Sequence, residues 1–334
     1  MRTSRLMEKC VRWIGLPCFC IAVLQIGVVD QLSAAEYWLS GVDPVVQRDR
    51  HTDQPADYMD LFRPDAPWAT SAEKVQALKI STQMALRGTD DELRTVIEGL
   101  KARHIGLAIE MGLLAYSDRC GHGTEGYGAP RAVEAAAKRI MSMGGQLDYV
   151  AMDEPVAYGH EKTGTNKKGF EYCHDSISDL VAQMAPKIAL LQRYFPNVRI
   201  GEIDAITSRF PNLAADTIDL SDEMDKQLHM KMAFVHADVG WDSNWHSMLQ
   251  QLVQGMRARG IPVGVVCDGD AKVPSDEVTT KEGLQRCAEV ARDPKTRPDV
   301  YVVQTWLPRP TRMLPENQPG TLTYLLKQVE ATLH

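Results

Sequence analysis

Eight short apolar segments recur along this chain, each followed by a polar loop and an amphipathic helical stretch, and this alternation limits the fold more than any other feature. The segments span 37–42, 75–81, 105–111, 147–153, 198–204, 231–238, 261–268 and 299–306, and most are rich in Val, Ile, Ala and Gly. Such runs are what strands buried on both faces look like. The helical spacing between them is plain in Leu93, Val96, Ile97 and Leu100, which follow a capping box at Thr89–Glu92. It recurs in Val133 to Met141, in Ile177 to Leu191 (where Pro186 should kink the helix), in Met248 to Met256 and in Thr321 to Leu333. The first unit is the least regular, with Asp57 to Phe62 and a Pro-rich stretch. Strands alternating with helices imply a parallel sheet with right-handed crossovers. Eight of them close into an α/β fold of one domain, the (β/α)8 TIM barrel. An open doubly wound sheet would call for a Gly-rich phosphate loop after its first strand, and Ser40-Gly41-Val42-Asp43-Pro44 is not one.

Residues 1–35 read as a signal peptide and 36–334 as the barrel. Arg2, Arg5, Lys9 and Arg12 precede an apolar stretch from Trp13 to Val29, and Ser33-Ala34-Ala35 supplies small residues for cleavage. The chain is therefore expected to be exported, periplasmic or secreted, with no stable membrane association after cleavage. Its net charge of −7 becomes more negative once the basic leader is gone, which argues against nucleic acid as a partner. Oligomeric state is left open. Export permits disulfides. Cys120 and Cys173 follow the third and fourth strands, in loops that would be neighbours, and are expected to pair; Cys267 and Cys287 either pair or pack as buried thiols. No CxxC or Cys/His finger spacing implies structural zinc, and no cofactor is implied.

Side chains alternate along a strand, so each strand offers two faces. Ala77-x-Lys79-x-Ser81, Gly106-x-Ala108-x-Glu110, Ile200-x-Glu202-x-Asp204, Phe234-x-His236-x-Asp238 and Gly264-x-Val266-x-Asp268 place small or apolar residues first and polar ones at the C-terminal end. The eighth strand ends Val302-x-Gln304-x-Trp306, and the fourth ends Met152-Asp153-Glu154-Pro155. The C-terminal rim is where barrel enzymes place their chemistry. Pro155 cannot continue the ladder, which puts Glu154 at the mouth, where burial would raise its pKa and suit it to protonate a leaving oxygen. A glycosidase also needs a second carboxylate. Asp238 and Asp270 are candidates; Asp268 is the first choice and Glu202 the second. Lys79, Glu110, Asp153, Asp204, His236, Asp238, Trp241, Asp270, Gln304 and Trp306 are read as substrate-binding. Trp241 and Trp306, with Trp38, Trp68, Trp245, Tyr116, Tyr127 and Tyr158, lie in or after strand ends and offer flat faces to sugar C–H groups. His122, His160, His174 and His246 are read as solvated loop residues without a catalytic role.

On Glu154 at the end of strand four, the chain resembles the large TIM-barrel clan of glycoside hydrolases, and it is similar to exported bacterial barrel proteins carrying the Asp153-Glu154-Pro155 motif. The resemblance implies an acid/base Glu154, a nucleophile at the end of strand seven, and a poly- or oligosaccharide cleaved by paired carboxylates. The clan usually has Asn before its acid/base Glu, where this chain has Asp153; strand seven offers Asp268 and Asp270 in place of Glu. Two rival readings come from other classes. Glu202, Asp204, His236, Asp238 and Asp268 could surround a divalent ion in a metal-dependent sugar isomerase or hydrolase, although no HxH or HExxH pair supports it. A carbohydrate-binding barrel without catalysis is the other.

Overall fold

The computed structural model describes residues 35–52, 54–270 and 272–333, so the expected leader, apart from Ala35, lies outside the described residues. The strands are β1 (Glu36–Ser40), β2 (Val75–Ser81), β3 (Gly106–Met111), β4 (Tyr149–Asp153), β5 (Arg199–Ile206), β6 (Val235–Val239), β7 (Val263–Cys267) and β8 (Val300–Gln304). Each pairs in parallel with the next, and β1 closes on β8 from Glu36 against Val300 to Ser40 against Gln304. The (β/α)8 barrel expected from the alternation is the observed fold.

The helices are α1 (Pro44–Arg50), α2 (Ala69–Ala72), α3 (Thr82–Arg87), α4 (Asp90–Ala102), α5 (Ala132–Ser142), α6 (Ile177–Tyr194), α7 (Leu213–Leu228), α8 (Trp245–Ala258), α9 (Asp276–Arg292) and α10 (Leu322–Thr332). Thr89 starts α4 with the expected reciprocal cap: its hydroxyl accepts the Glu92 N–H at 3.1 Å, and the Glu92 carboxylate accepts the Thr89 N–H at 2.8 Å. α6 continues through Pro186, because Leu180, Val181, Met184, Ile188 and Leu191 bury one continuous stripe on either side of it. No helix among the described residues is long and apolar enough to cross a membrane.

Strand alternation divides the core into two layers. One set of side chains packs between barrel and helices; the other fills the barrel itself, around Trp38, Tyr149, Ile203, Phe234 and Val302. Trp38 sits at the centre, its ring 4.6 Å from that of Tyr149, 5.0 Å from Phe234 and 4.7 Å from His236. Ala77, Ala108 and Ala151 on facing strands leave the volume those rings occupy. Glycine is required at two interior positions for the same reason. A Cβ at Gly201 would stand 2.6 Å from the Phe234 ring, and one at Gly264 would collide with His236.

Both cysteine pairs are disulfides. Cys120–Cys173 has a Cα separation of 5.0 Å, as expected for neighbouring loops, and Cys267–Cys287 one of 5.6 Å, which resolves the open alternative in favour of a bond.

Candidate active site

The inward face of the strand ends collects carboxyl groups with few cations to balance them. Lys79 on β2 is fully buried; its ammonium pairs with Glu110 of β3 and lies 5.8 Å from the Trp306 ring. Asp153 ends β4 and accepts the Gly126 N–H at 3.5 Å. Burial, reinforced by the charges of Glu110 and Glu125, pushes its carboxyl up to about 8. Asp238 on β6 is pushed up to about 6, by burial first and then by Glu110.

Glu154 has a backbone φ of +40°, the left-handed region that a non-glycine residue enters at a cost. Its N–H donates to Ile203 O at 2.9 Å, fixing it to β5. Burial holds its carboxyl well above the usual carboxylate range, and Asp204, Glu125, Asp153 and Asp238 add to the effect. A single turn of π-helix, Ala157–Glu161, follows at once; such turns recur beside functional sites. Among the described residues, no hydrogen bond reaches the carboxyl group of Glu154 or of Asp238.

Asp268 follows β7 and is more engaged. Arg286 of α9 lies 3.5 Å from its carboxylate and also donates to its backbone carbonyl at 3.1 Å. Burial and Asp238 push Asp268 up to about 7, against the opposing pull of Arg286. Trp241 stands beside it, with the Arg286 guanidinium 5.3 Å from the indole ring. Gln304, at the inward end of β8, is 2% exposed, and its Oε1 has no partner among the described residues.

Four sequence expectations need correction. Glu202 and Asp204 do not face the mouth. On β5 the inward set is Gly201, Ile203 and Ala205, so the even positions face the helices: Ile203 belongs to the barrel interior, Ile200 and Ile206 to the outer layer. Glu202 is fully buried beside Thr217 of α7, its carboxyl pushed well above the usual range by burial and by Asp204. It is not placed to act as the second carboxylate. Asp204 accepts the N–H groups of Val156 at 2.9 Å and Ala157 at 3.2 Å, and so anchors the chain just after Glu154 in place of touching a substrate. His236 does point inward, but it packs at 0% exposure between Trp38 and Phe234; burial lowers its pKa well below the ordinary histidine value. It belongs to the barrel's filling. Asp270 is exposed and accepts the Lys272 N–H at 2.8 Å within its own loop. With Glu202 and Asp204 on the outer face, the five residues considered for a divalent ion are divided between two layers.

Glu125 was not anticipated. It lies on the loop 112–131 after β3, and its charge acts on Asp153, Glu154, Asp238 and Tyr158. The loop reaches the mouth because Leu114 donates to Gly126 O at 2.9 Å and Gly128 donates to Leu114 O at 3.0 Å, folding it back over β3. A signal was present: Glu125 is the lone acid among Gly121, Gly123, Gly126 and Gly128, and glycines mark loops that approach other backbone closely. Away from the mouth, a cavity of about 750 Å³ between α9 and α10 is lined by Leu284, Ala288, Arg292 and Leu333 among others, and carries none of these carboxylates.

No family model matches the chain, and no curated protein matches it in sequence. Solved structures do match in shape. A mutant of xylanase A from P fluorescens subsp. cellulosa, in complex with xylopentaose, superposes with a TM-score of 0.50 at 9% identity, covering 90% of this chain and 98% of its own. A GH10 structure from Paenibacillus barcinonensis gives a TM-score of 0.50 at 12% identity, covering 91% and 97%. The fold is shared. At such identities the likeness extends to the barrel and no further.

Proposed function

We propose that this chain is a glycoside hydrolase in which Glu154 is the general acid and Asp238 the second carboxylate. One observation carries the reading: the carboxyl groups of Glu154 and Asp238 lie close enough at the strand ends for the charge of Asp238 to act on Glu154, and neither has a protein hydrogen bond among the described residues. Environments that push paired carboxyls apart assign acid and base. Glu154, held well above the usual carboxylate range by burial and the acids around it, is the group suited to deliver a proton to the leaving glycosidic oxygen. Asp238, at about 6, is mostly ionised at neutral pH and can attack the anomeric carbon or take a proton from an attacking water. Asp268 ranks below Asp238 because Arg286 already occupies it. Asp153, held protonated near neutrality, is suited to donate to a substrate hydroxyl, while Lys79, Glu110 and Gln304 line the same face. Trp241 and Trp306 offer ring faces beside these carboxyls. The two disulfides support the expectation of an exported chain in an oxidising compartment.

The test is a screen of xylan, cellulose, mannan and chitin oligosaccharides together with aryl glycosides. Xylopentaose heads the panel because the P fluorescens barrel was solved with it. Glu154→Gln and Asp238→Asn should each lower turnover by about 10²–10⁴-fold while the protein stays folded. Full activity in Glu154→Gln would remove the acid assignment, and no hydrolysis of any glycan by the wild type would remove the reading.

A further inference from the structure

Helix α6 carries a lysine where its surroundings offer an ammonium very little. Lys187 is 9% exposed, and among the described residues it has one hydrogen-bond partner: Nζ donates to Leu114 O at 2.7 Å. No ion pair offsets its burial there, and burial pushes the ammonium down to about 8. An ammonium withdrawn from water costs stability unless it is well paired, and an apolar side chain of similar length avoids that cost. Packing alone does not call for a lysine at this position.

What it grips is the loop 112–131. One turn earlier on the same face of α6, Gln183 Oε1 accepts the Ala115 N–H at 3.3 Å, while its Nε2 donates to Asp175 at 2.8 Å. Two side chains of one helix thus hold consecutive backbone groups, Leu114 C=O and Ala115 N–H, on the outgoing leg of the loop. That leg holds the returning one. Leu114 N–H donates to Gly126 O at 2.9 Å, and Leu114 O accepts the Gly128 N–H at 3.0 Å alongside the lysine. The returning leg presses on the end of β4. A Cβ on Gly126 would stand 3.0 Å from Asp153 O and 3.3 Å from Glu154 O, and the Gly126 N–H reaches the Asp153 carboxyl at 3.5 Å. Glu125, whose charge acts on Glu154, is the residue before it.

We propose that Lys187 is a positioning residue for the mouth: through Leu114 it keeps the returning leg, and Glu125 with it, seated against Asp153 and Glu154. The proposal rests on the reading of that mouth as a hydrolase centre. Lys187 touches no substrate and acts only through the loop. Without its bond to Leu114 O the leg lifts, water gains access to Glu154, and the charge of Glu125 moves away. Burial and Glu125 are both among the causes that raise the Glu154 carboxyl, so loosening the leg makes that group a stronger acid.

The test compares wild type with Lys187→Met, which keeps the length and drops the donor, and with Lys187→Arg, which keeps charge and donors. Urea midpoints first establish that each variant is folded. The Gly128 amide should exchange about tenfold faster or more in Lys187→Met. On the best aryl glycoside, the alkaline limb of kcat/KM should move to lower pH in Lys187→Met and back toward the wild-type position in Lys187→Arg. Adding Lys187→Met to Glu125→Gln should move the limb less than adding it to wild type, because both act on Glu154 by a shared route. Unchanged Gly128 exchange, a limb that stays in place in folded Lys187→Met, an equal displacement in folded Lys187→Arg, or a shift undiminished by Glu125→Gln overturns the proposal. Should Lys187→Met not fold, Gln183→Leu, which removes the Ala115 contact, takes its place with the same expected direction. If wild type cleaves no glycan, the hydrolase reading fails, and carbon-13 titration of the Glu154 carboxyl decides. A lower pKa in Lys187→Met than in wild type sustains the positioning role; an unchanged one ends it.

Discussion

Asp204→Asn tests whether an acid on the outer face of β5 sets the acidity of one on the inner rim. Asp204 Oδ2 accepts the N–H of Val156 at 2.9 Å and of Ala157 at 3.2 Å, while Oδ1 accepts the N–H of Ala205 at 2.9 Å. Asparagine keeps the shape but only one of those oxygens. Turned to hold Val156 and Ala157, its NH2 faces the Ala205 N–H; turned the other way it faces two donors. At least one buried N–H loses its acceptor, which costs about 1–3 kcal/mol, readable as a lower urea midpoint. The charge also disappears. Burial pushes Asp204 up to about 7, so it is ionised above neutral pH, and its charge is among the causes that raise the Glu154 carboxyl. Removing a like charge lowers the Glu154 pKa, each unit of that shift answering to about 1.4 kcal/mol of relieved repulsion. An acid catalyst works only while protonated, so the alkaline limb of kcat/KM should move to lower pH by the same shift. The measurement is a pH–rate profile of both proteins on the best aryl glycoside. A limb that stays in place, or moves up, would refute the link between Asp204 and Glu154, whatever happens to stability.

Two further outcomes follow from the same carboxyls. Asp238 must be ionised to act, so the acid limb of the wild-type profile should fall as pH drops through about 6, and Asp238→Asn should abolish turnover instead of shifting that limb; a limb near the ordinary aspartate value would reassign the second carboxylate. Asp153, Asp204, Asp238 and Asp268 all have carboxyls raised on folding, so the native state binds more protons than the unfolded chain between about pH 4 and 8. Where the folded state holds the extra protons, stability falls as pH rises; urea midpoints measured at pH 5 should exceed those at pH 8, and the reverse order would contradict the raised carboxyls.

The barrel was legible because its signal is repeated: eight apolar runs alternating with helical stripes leave little choice of topology. The site was legible only in part, and β5 shows why. Alternation establishes that a strand has two faces, but which face turns inward depends on partners distant in sequence. Here Gly201 faces Phe234 across the interior, and that close approach puts Glu202 and Asp204 outside. His236 failed for a related reason. Its phase was right, but its depth beneath the mouth depends on Trp38 and Phe234 packing against it. The end of β4 at Asp153, just before Glu154, was legible because Pro155 fixes it locally. Glu125 was passed over because a glycine-rich loop gives no register to argue from, and its approach to Asp153 depends on the backbone bonds of Leu114 and Gly128.

The second disulfide joins the immediate sequence neighbours of a charged couple: Cys267 precedes Asp268, and Cys287 follows Arg286. A partly wet ion pair opens readily, and ordinarily its members then drift apart. Here each opening leaves the guanidinium tethered one residue from a covalent crosslink, at a high local concentration relative to its carboxylate. Reclosure is therefore intramolecular and favoured, and the crosslink adds to the bonds of Arg286 with the Asp268 carbonyl and Glu282 in keeping a positive charge beside strand seven.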